Sequence, residues 1–494
     1  MATEQPVASG APLDMTYSPR VLAIIVTWNK KKFVLDLLKS LDALDYPPDI
    51  IDVLVVDNAS NDGTAEAIAS KFADVHVIRN ERNLGGSGGF NTGLSWAFQQ
   101  SDNHYKYLWL LDNDVLVHRK ALSELVTILE KKEDVAVAGS TMMQMDFPWR
   151  INEMGGFVDR GSGALVLNRH REEVPGWRGR PLNELLAGEC DLTNHLMACR
   201  PYMDMDYVAA ASLLVRADVA EEAGLWKDFF IHFDDVEWCL CIGRMGWRVV
   251  TSARSIIWHL SAVAKVPTWV LYYDNRNVLY MLKEHGADSA TIKRIMRRIL
   301  IKSVYYSIIG KPDLGRLHVE SVQDFLAGRK GKKDISSVMQ YRANRDAEDI
   351  FLDPSIQRIL IPWSVNLQAT GLQEPLVRAA KKRTDLEVHF LMSDGREQIH
   401  MMPLQKSVIL PGMKPLRWYY YLRYSRQYDL LLQSDYMPLV CLSFTGKEIM
   451  FVNDEGFCRR SGTTWKGLIS SLFGFIGNLR LLNKYDKRQD IIKG

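Results

Sequence analysis

Two carboxylates two positions apart, Asp112 and Asp114, follow directly on an apolar strand-like run in YKYLWLLDND. Acids with this spacing at a strand end face one crevice and can hold a hard divalent ion, Mn2+ or Mg2+. Such an ion can bridge a diphosphate and neutralise a leaving group. The plainer reading is a strand-to-loop turn with solvated acids; the buried WLL before them favours the metal. A second acidic group, Asp234, Asp235 and Glu237, opens a helix-like stretch in FFIHFDDVEWCLCIGRMGW. Acids there complement a helix dipole. Their aromatic and apolar flanks could also raise a carboxylate pKa and make a general base. Either Asp234 or Asp235 suits that role, with Asp235 preferred.

Other candidates are softer. Asp57 ends the run IDVLVVD and precedes Asn58, Ser60, Asn61 and Asp62. It can accept a hydrogen bond from a nucleobase N–H, or close an Asx turn while Asp62 or Thr64 caps the next helix. The glycines of NLGGSGGFN, Asn83 to Asn91, let backbone approach a ligand, and a following helix N-terminus favours anions. A plain turn explains them equally well, and neither a GxGxxG fingerprint nor a P-loop is present. His259 closes IIWH. A lone His there is more often packed than ligating, yet the acid pair lacks a third protein ligand and imidazole suits Mn2+.

The elements that must position these residues alternate. VLAIIVTW from Val21, IDVLVVD, VHVIRN and YKYLWLLDND read as strands, with helical spacing between them at Phe33–Leu41, Ala65–Phe72 and Leu94–Phe98. That alternation argues for an α/β domain with a mostly parallel sheet. Ligands of such sheets bind at the carboxyl ends of the strands. Thr27, Asp57, Asn83 and Asp112 all fall at or just after such ends. From about Gly139 to His259 the pattern is less regular, with short strands, loops and one helix near Val236–Met245. Residues 269 to 328 read as helices broken at GKPDLG, and GRKGKKD as a flexible linker. From Ile356, the runs IQRILIP, LEVHFLM, SVILP, YDLLLQ and KEIMFVND form a second strand–helix series.

The chain has 494 residues, 47% of them hydrophobic, which implies two or three domains. A net charge of +2 and 24% charged residues give no field that argues for nucleic acid. The six cysteines show no CxxC and no zinc spacing, which suits reduced thiols in a cytoplasmic protein. The first residues have no signal-peptide pattern, and no run is long and apolar enough for a transmembrane helix.

Taken in order, VTWN, VVDNASNDGT, NLGGSGGFN, LLDND, DDVEW, WHLS and YYDNRN resemble the inverting glycosyltransferases of family 2 with the GT-A fold. The likeness spans about Val21 to Tyr280. Within that family, NLGGSGGF, FIHFDDVEWCL and IIWH with YYDNRN look most like bacterial galactofuranosyltransferases, which use UDP-galactofuranose. The resemblance implies Asp112, Asp114 and His259 as metal ligands, and Asp235 as base with Asp234 beside it. It implies a donor site of Thr27, Asp57, Asn83, Gly85, Gly86, Gly88, Gly89 and Asp112. With the first catalytic strand expected from Val21, the extra β-rich domain that precedes the catalytic domain of the mycobacterial galactofuran polymerases is not expected in this sequence. Related rhamnosyltransferases share much of the pattern.

The expected organisation is a flexible lead-in (1–20), a Rossmann-like GT-A domain (21–265), a helical extension and linker (266–350), a smaller Rossmann-like α/β domain (351–460) and an amphipathic basic tail (461–494). The second α/β domain resembles half of a nucleotide-binding fold; WSVNLQATGL and FVNDEGF are its only weak site candidates. Basic residues from Lys293 to Lys302 and the apolar, then basic tail suit an anionic membrane surface, or equally helices packed on their own domain. The expected partners are a UDP-sugar and a glycan or lipid-linked glycan at the inner face of the cytoplasmic membrane. A nucleotidyltransferase would need a basic, glycine-rich signature that VTWNKKKF does not offer. A non-catalytic assembly protein would not need Asp112, Asp114, Asp235 and His259 together.

Overall fold

A computed structural model describes residues 18–100, 105–195, 200–260, 269–335, 345–362, 372–392, 405–409, 419, 423, 425–435, 448–452, 457–460 and 465–493. Most of the lead-in, residues 363–371 of WSVNLQATGL and residues 453–456 of FVNDEGF lie outside these. The chain divides into two compact units. The first comprises Met1–Ser261 with Met281–Ala287 and Lys330–Lys332; the second holds Ala262–Tyr280, Asp288–Arg329 and Lys333–Gly494. The chain thus returns to the first unit twice. Within that unit the returns are held by Arg244 donating to the Glu284 carbonyl and by the Gly331 N–H donating to the Asp228 carbonyl.

The first unit begins with β1 (Val21–Thr27), α1 (Lys31–Leu41), β2 (Ile51–Asp57), α2 (Thr64–Lys71), β3 (His76–Arg79), α3 (Gly85–Phe98) and β4 (Tyr107–Asp112). It continues through β5 (Val115–Val117), α4 (Ala121–Lys131), β6 (Val135–Gln144), β7 (Ile151–Glu153), β8 (Gly156–Asp159), β9 (Ala164–Leu167) and α5 (Leu182–Ala187). After β10 (Tyr202–Met205), β11 (Ser212–Arg216), α6 (Ala217–Ala223) and α7 (Asp234–Arg244) comes the long β12 (Arg248–His259). The spine of the sheet runs β10-β12-β6-β11-β4-β1-β2-β3, with β5 on β12 and β7 on β6.

All seven residues of β1 are buried, as a central strand flanked by parallel neighbours β2 and β4 requires. Helix α1 turns Val34, Leu37, Leu38 and Leu41 into the same core. The ten-residue β6 is also wholly buried, and the sequence reading did not separate it from its irregular surroundings. Its Gly139, Ser140 and Thr141 interrupt the apolar run that would have marked it. Strand β11 lies antiparallel between β4 and β6, and β12 is parallel to β6. It follows that β1, β2, β4, β6 and β12 all point the same way. Their carboxyl ends, Thr27, Asp57, Asp112, Gln144 and His259, therefore share one edge of the sheet.

The second unit takes α8 (Leu271–Glu284) as far as Tyr280 and continues with α9 (Ser289–Ile308), α10 (Pro312–Ala327), β13 (Arg345–Asp346), α11 (Ala347–Leu352), β14 (Arg358–Pro362) and α12 (Gln373–Lys382). It closes with β15 (Glu387–Met392), β16 (Gln405–Ile409), β17 (Leu430–Ser434), β18 (Glu448–Val452), β19 (Phe457–Arg460), α13 (Trp465–Asn478) and α14 (Arg480–Lys493). The five strands read from the sequence appear as β14 to β18. They are parallel in the order β16-β15-β14-β17-β18, and β19 and β13 extend the sheet antiparallel. In chain order that is third, second, first, fourth, fifth, the doubly wound arrangement. A buried ion triad fastens it: Asp435 accepts from Lys311 at 2.8 Å and from Arg459 at 2.6 Å.

Candidate functional site

At the strand ends, the turn after β4 is fixed first. Asn113 donates to the Val26 carbonyl of β1 at 3.0 Å, tying the DND turn to the neighbouring strand. Strand β5 then doubles back and pairs antiparallel with β12, with His259 opposite Val115. The Leu260 N–H donates to the Asp114 carbonyl. This register sets His259 Nε2 3.2 Å from Asp114 Oδ1 and 3.9 Å from Asp112 Oδ2. One ligand atom from each of the three residues lies within 4.8 Å of the others. Two carboxylates and one imidazole are a donor set that suits Mn2+ or Mg2+, so the three fit a divalent ion. Burial alone would raise the Asp114 carboxyl, but its hydrogen bond to His259 and the electrostatic pull of that residue hold it below the ordinary range.

Thr27 and Asp57 face each other across β1 and β2 and are wholly buried. Asp57 Oδ1 accepts from the Ser60 N–H at 3.0 Å, the turn its sequence suggested. Its Oδ2 lies 3.5 Å from Arg79 Nε and, like the Thr27 hydroxyl, makes no hydrogen bond among the described residues. Both retain acceptor capacity at the sheet edge.

The glycine-rich segment is not a loop. It forms the first turns of α3, which begins at Gly85, after Asn83 Oδ1 accepts the Gly85 N–H at 2.8 Å. Close contact explains its composition. A Cβ on Gly89 would lie 2.3 Å from Val26 Cγ1, and one on Gly93 would lie 2.4 Å from Ile24 Cγ2, so the helix sits directly on β1. Gly88 faces Leu84 within its own turn. Gly85 has φ +74°, and a Cβ there would come 2.0 Å from the Phe230 carbonyl oxygen. Gly86 alone faces the acids: its Cβ would be 3.5 Å from Asp234 Oδ2.

Helix α7 brings the second acidic group. Before it, Phe230, His232 and Phe233 all have φ between 66° and 70°, the left-handed region that non-glycine residues rarely adopt. Three such residues in four positions mark a strained turn of the kind that clusters at functional sites. It aims Asp234 at α3, where Ser87 Oγ donates to Asp234 Oδ2 at 2.7 Å. Burial raises the Asp234 carboxyl against that hydrogen bond. Asp235 accepts from the Ala210 N–H at 3.1 Å and from its neighbour Val236 at 2.8 Å. Burial first, and the adjacent Asp234 charge second, push Asp235 up to about 7. A carboxyl poised there can take a proton near neutral pH.

Two residues of this neighbourhood went unread in the sequence. Glu153, at the end of β7, is buried, and its Oε1 has no hydrogen-bond partner among the described residues. Burial, then the charge of Asp235, pushes it up to about 8. Tyr207 also has a buried hydroxyl without a partner among the described residues; burial, then Glu153 and Asp235, raise it. The sequence signal was slight. Glu153 sits in INEMGG with no spacing that connects it to residue 235. Ser87 was visible only as one small residue among glycines.

Residues 22–189 match the family model described as glycosyl transferase family 2. The matched span holds Thr27, Asp57, the glycine-rich segment, Asp112 and Asp114, while Asp234, Asp235 and His259 lie beyond it. The chain is 23% identical over 334 residues to the galactofuranosyltransferase GlfT2 of Mycolicibacterium smegmatis, covering 64% of this chain and 49% of the relative. It is 29% identical over 206 residues to the galactofuranosyltransferase GlfT1 of Mycobacterium tuberculosis, covering 41% and 62%. Thus the chain spans about half the length of the GlfT2 relatives it matches. Among solved structures, the mannosyltransferase PcManGT of Pyrobaculum calidifontis, in complex with GDP-Man and Mn2+, is 18% identical with a TM-score of 0.38, covering 75% of this chain and 88% of that one.

Proposed function

We propose that the protein is an inverting glycosyltransferase that moves a hexose, galactofuranose in the first instance, from a UDP-sugar to a hydroxyl of a glycan or lipid-linked glycan. One observation carries the reading: the Asp112, Asp114 and His259 cluster shares a site with a carboxyl, Asp235, poised near neutrality. The sugar rests on the similarity to galactofuranosyltransferases.

Asp112, Asp114 and His259 would hold Mn2+ or Mg2+. Such an ion, when bound, neutralises the negative charge of a departing diphosphate. Thr27 and Asp57 would offer the base of the nucleotide a hydroxyl and a carboxylate oxygen that make no hydrogen bond among the described residues, and Gly86 at the start of α3 would line the donor side. Asp235 accepts the proton of the acceptor hydroxyl as that oxygen bonds to the anomeric carbon and the carbon–phosphate oxygen bond breaks. UDP leaves with the bonding electrons. A single displacement inverts the anomeric centre. Asp234, which accepts a hydrogen bond from Ser87, sits beside the base.

The test is UDP release from a panel of UDP- and dTDP-sugars, with Mn2+ and with chelator. Metal-dependent release favouring UDP-galactofuranose is expected. Release from another donor would keep the mechanism and move the specificity. Release of pyrophosphate from a nucleoside triphosphate instead would overturn the reading.

A further inference from the structure

We propose that α13 is an interfacial anchor that lays the second unit on an anionic lipid bilayer. This goes beyond the transfer chemistry and can fail independently of it. The tail that looked like one basic amphipathic segment is two helices with different fates. Helix α14 is docked: Leu481, Leu482 and Tyr485 are buried, Tyr485 stacks on Phe325 of α10 at 6.2 Å, and Asp486 pairs with Lys293 of α9 at 3.0 Å. Helix α13 packs against α9 on one side. It leaves Ile469, Leu472, Phe473 and Ile476 at 51%, 46%, 71% and 62% exposure.

Their spacing decides what this exposure means. Scattered exposed apolar residues are ordinary, but positions i, i+3, i+4 and i+7 fall on one helix face and make a continuous stripe. The helix, at ~21 Å for its length, is too short to cross a bilayer core. No helix among the described residues is long and apolar enough to span a membrane. A short helix with one apolar face lies in the interface instead.

The neighbouring charge chooses the occupant. Helix α9, against which α13 packs, exposes Arg294, Arg297, Arg298 and Lys302, with Ile301 exposed among them. Neither helix contains an acidic residue. Long cationic side chains beside an exposed apolar face suit anionic headgroups. A second copy of the chain, joined stripe to stripe about a two-fold axis, would bring these like charges together, which disfavours that alternative.

Cosedimentation of the full chain with vesicles tests the proposal. Binding to vesicles containing phosphatidylglycerol is expected, with little binding to pure phosphatidylcholine and weakening at high salt. The triple change Leu472→Ser, Phe473→Ser, Ile476→Ser should lower the bound fraction about tenfold, because burial of those side chains supplies the apolar part of the affinity. Arg294→Gln with Arg297→Gln and Arg298→Gln should remove the preference for anionic lipid. These side chains are exposed, so melting temperature and UDP binding should stay at wild-type values and separate anchoring from misfolding. Triple variants that sediment like wild type would overturn the proposal, as would a wild-type chain that ignores vesicles. A dimer in sedimentation velocity that the serine variant dissociates, with no vesicle binding, would reassign the stripe to self-association.

Discussion

Ser87 Oγ donates to Asp234 Oδ2 at 2.7 Å, joining residues 147 positions apart. The bond links the first turn of α3 to the first residue of α7, both at the ligand edge of the sheet. It also separates two adjacent carboxylates by role, since only Asp234 receives a hydroxyl.

Ser87→Ala should therefore act on the acidic pair. Leaving a buried carboxylate without this donor costs about 1–3 kcal/mol. Urea denaturation should read that loss, and UDP affinity should change little. Unchanged stability would mean that the hydroxyl contributes nothing to holding Asp234.

Asp235→Asn should cut turnover by ~10²–10⁴, the usual cost of removing a general base, while UDP binding persists. Steady-state kinetics beside calorimetric UDP titration separates the two. Turnover near the wild-type level would remove Asp235 from the proton transfer.

Asp114→Ala and His259→Ala should each weaken Mn2+ binding at least about tenfold, because each takes one ligand from a small set. Free Mn2+ measured by electron paramagnetic resonance reports this without any donor present. Wild-type affinity in both variants would place the ion elsewhere.

Gly85→Ala should destabilise the chain. The position combines φ +74° with a Cβ that would meet the Phe230 carbonyl at 2.0 Å. Left-handed strain alone costs about 1–3 kcal/mol, and the clash adds to it. Gly243→Ala is the control: nothing lies within 4 Å of its Cβ. A helical Gly to Ala change there should be neutral or slightly stabilising. Equal melting temperatures for the two variants would contradict the contact.

The pH dependence follows from Asp235 at about 7. Activity needs its carboxylate, so kcat/KM should rise with pH and level off above about 7. Stability should move the other way. The folded state holds this proton more tightly than the unfolded chain, so its contribution is full below the unfolded value of about 4 and is lost as pH rises through about 7. Asp234, also raised by burial, adds in the same direction. Asp235→Asn should flatten both profiles, and a profile unchanged by the substitution would assign the titration to another group.

The sequence alone determined the alternation of strands and helices, because short β-branched runs such as VLAIIVT, bounded by turn residues, favour a strand buried on both faces. It also determined which ends carry acids: Asp57 and Asp112 close such runs. The five strands of the second unit were legible for the same reason. Local patterning could not reveal contacts made by register. His259 meets Asp114 only because β5 doubles back on β12, and Asp235 acquires its environment only when Ala210, Glu153 and Tyr207 surround it. The glycines looked like a loop because glycine weakens local helix preference; their helix forms because β1 leaves no room for side chains. Likewise, the tail's composition was visible from the start, but tertiary structure decided that α14 would be covered and that the apolar face of α13 would not.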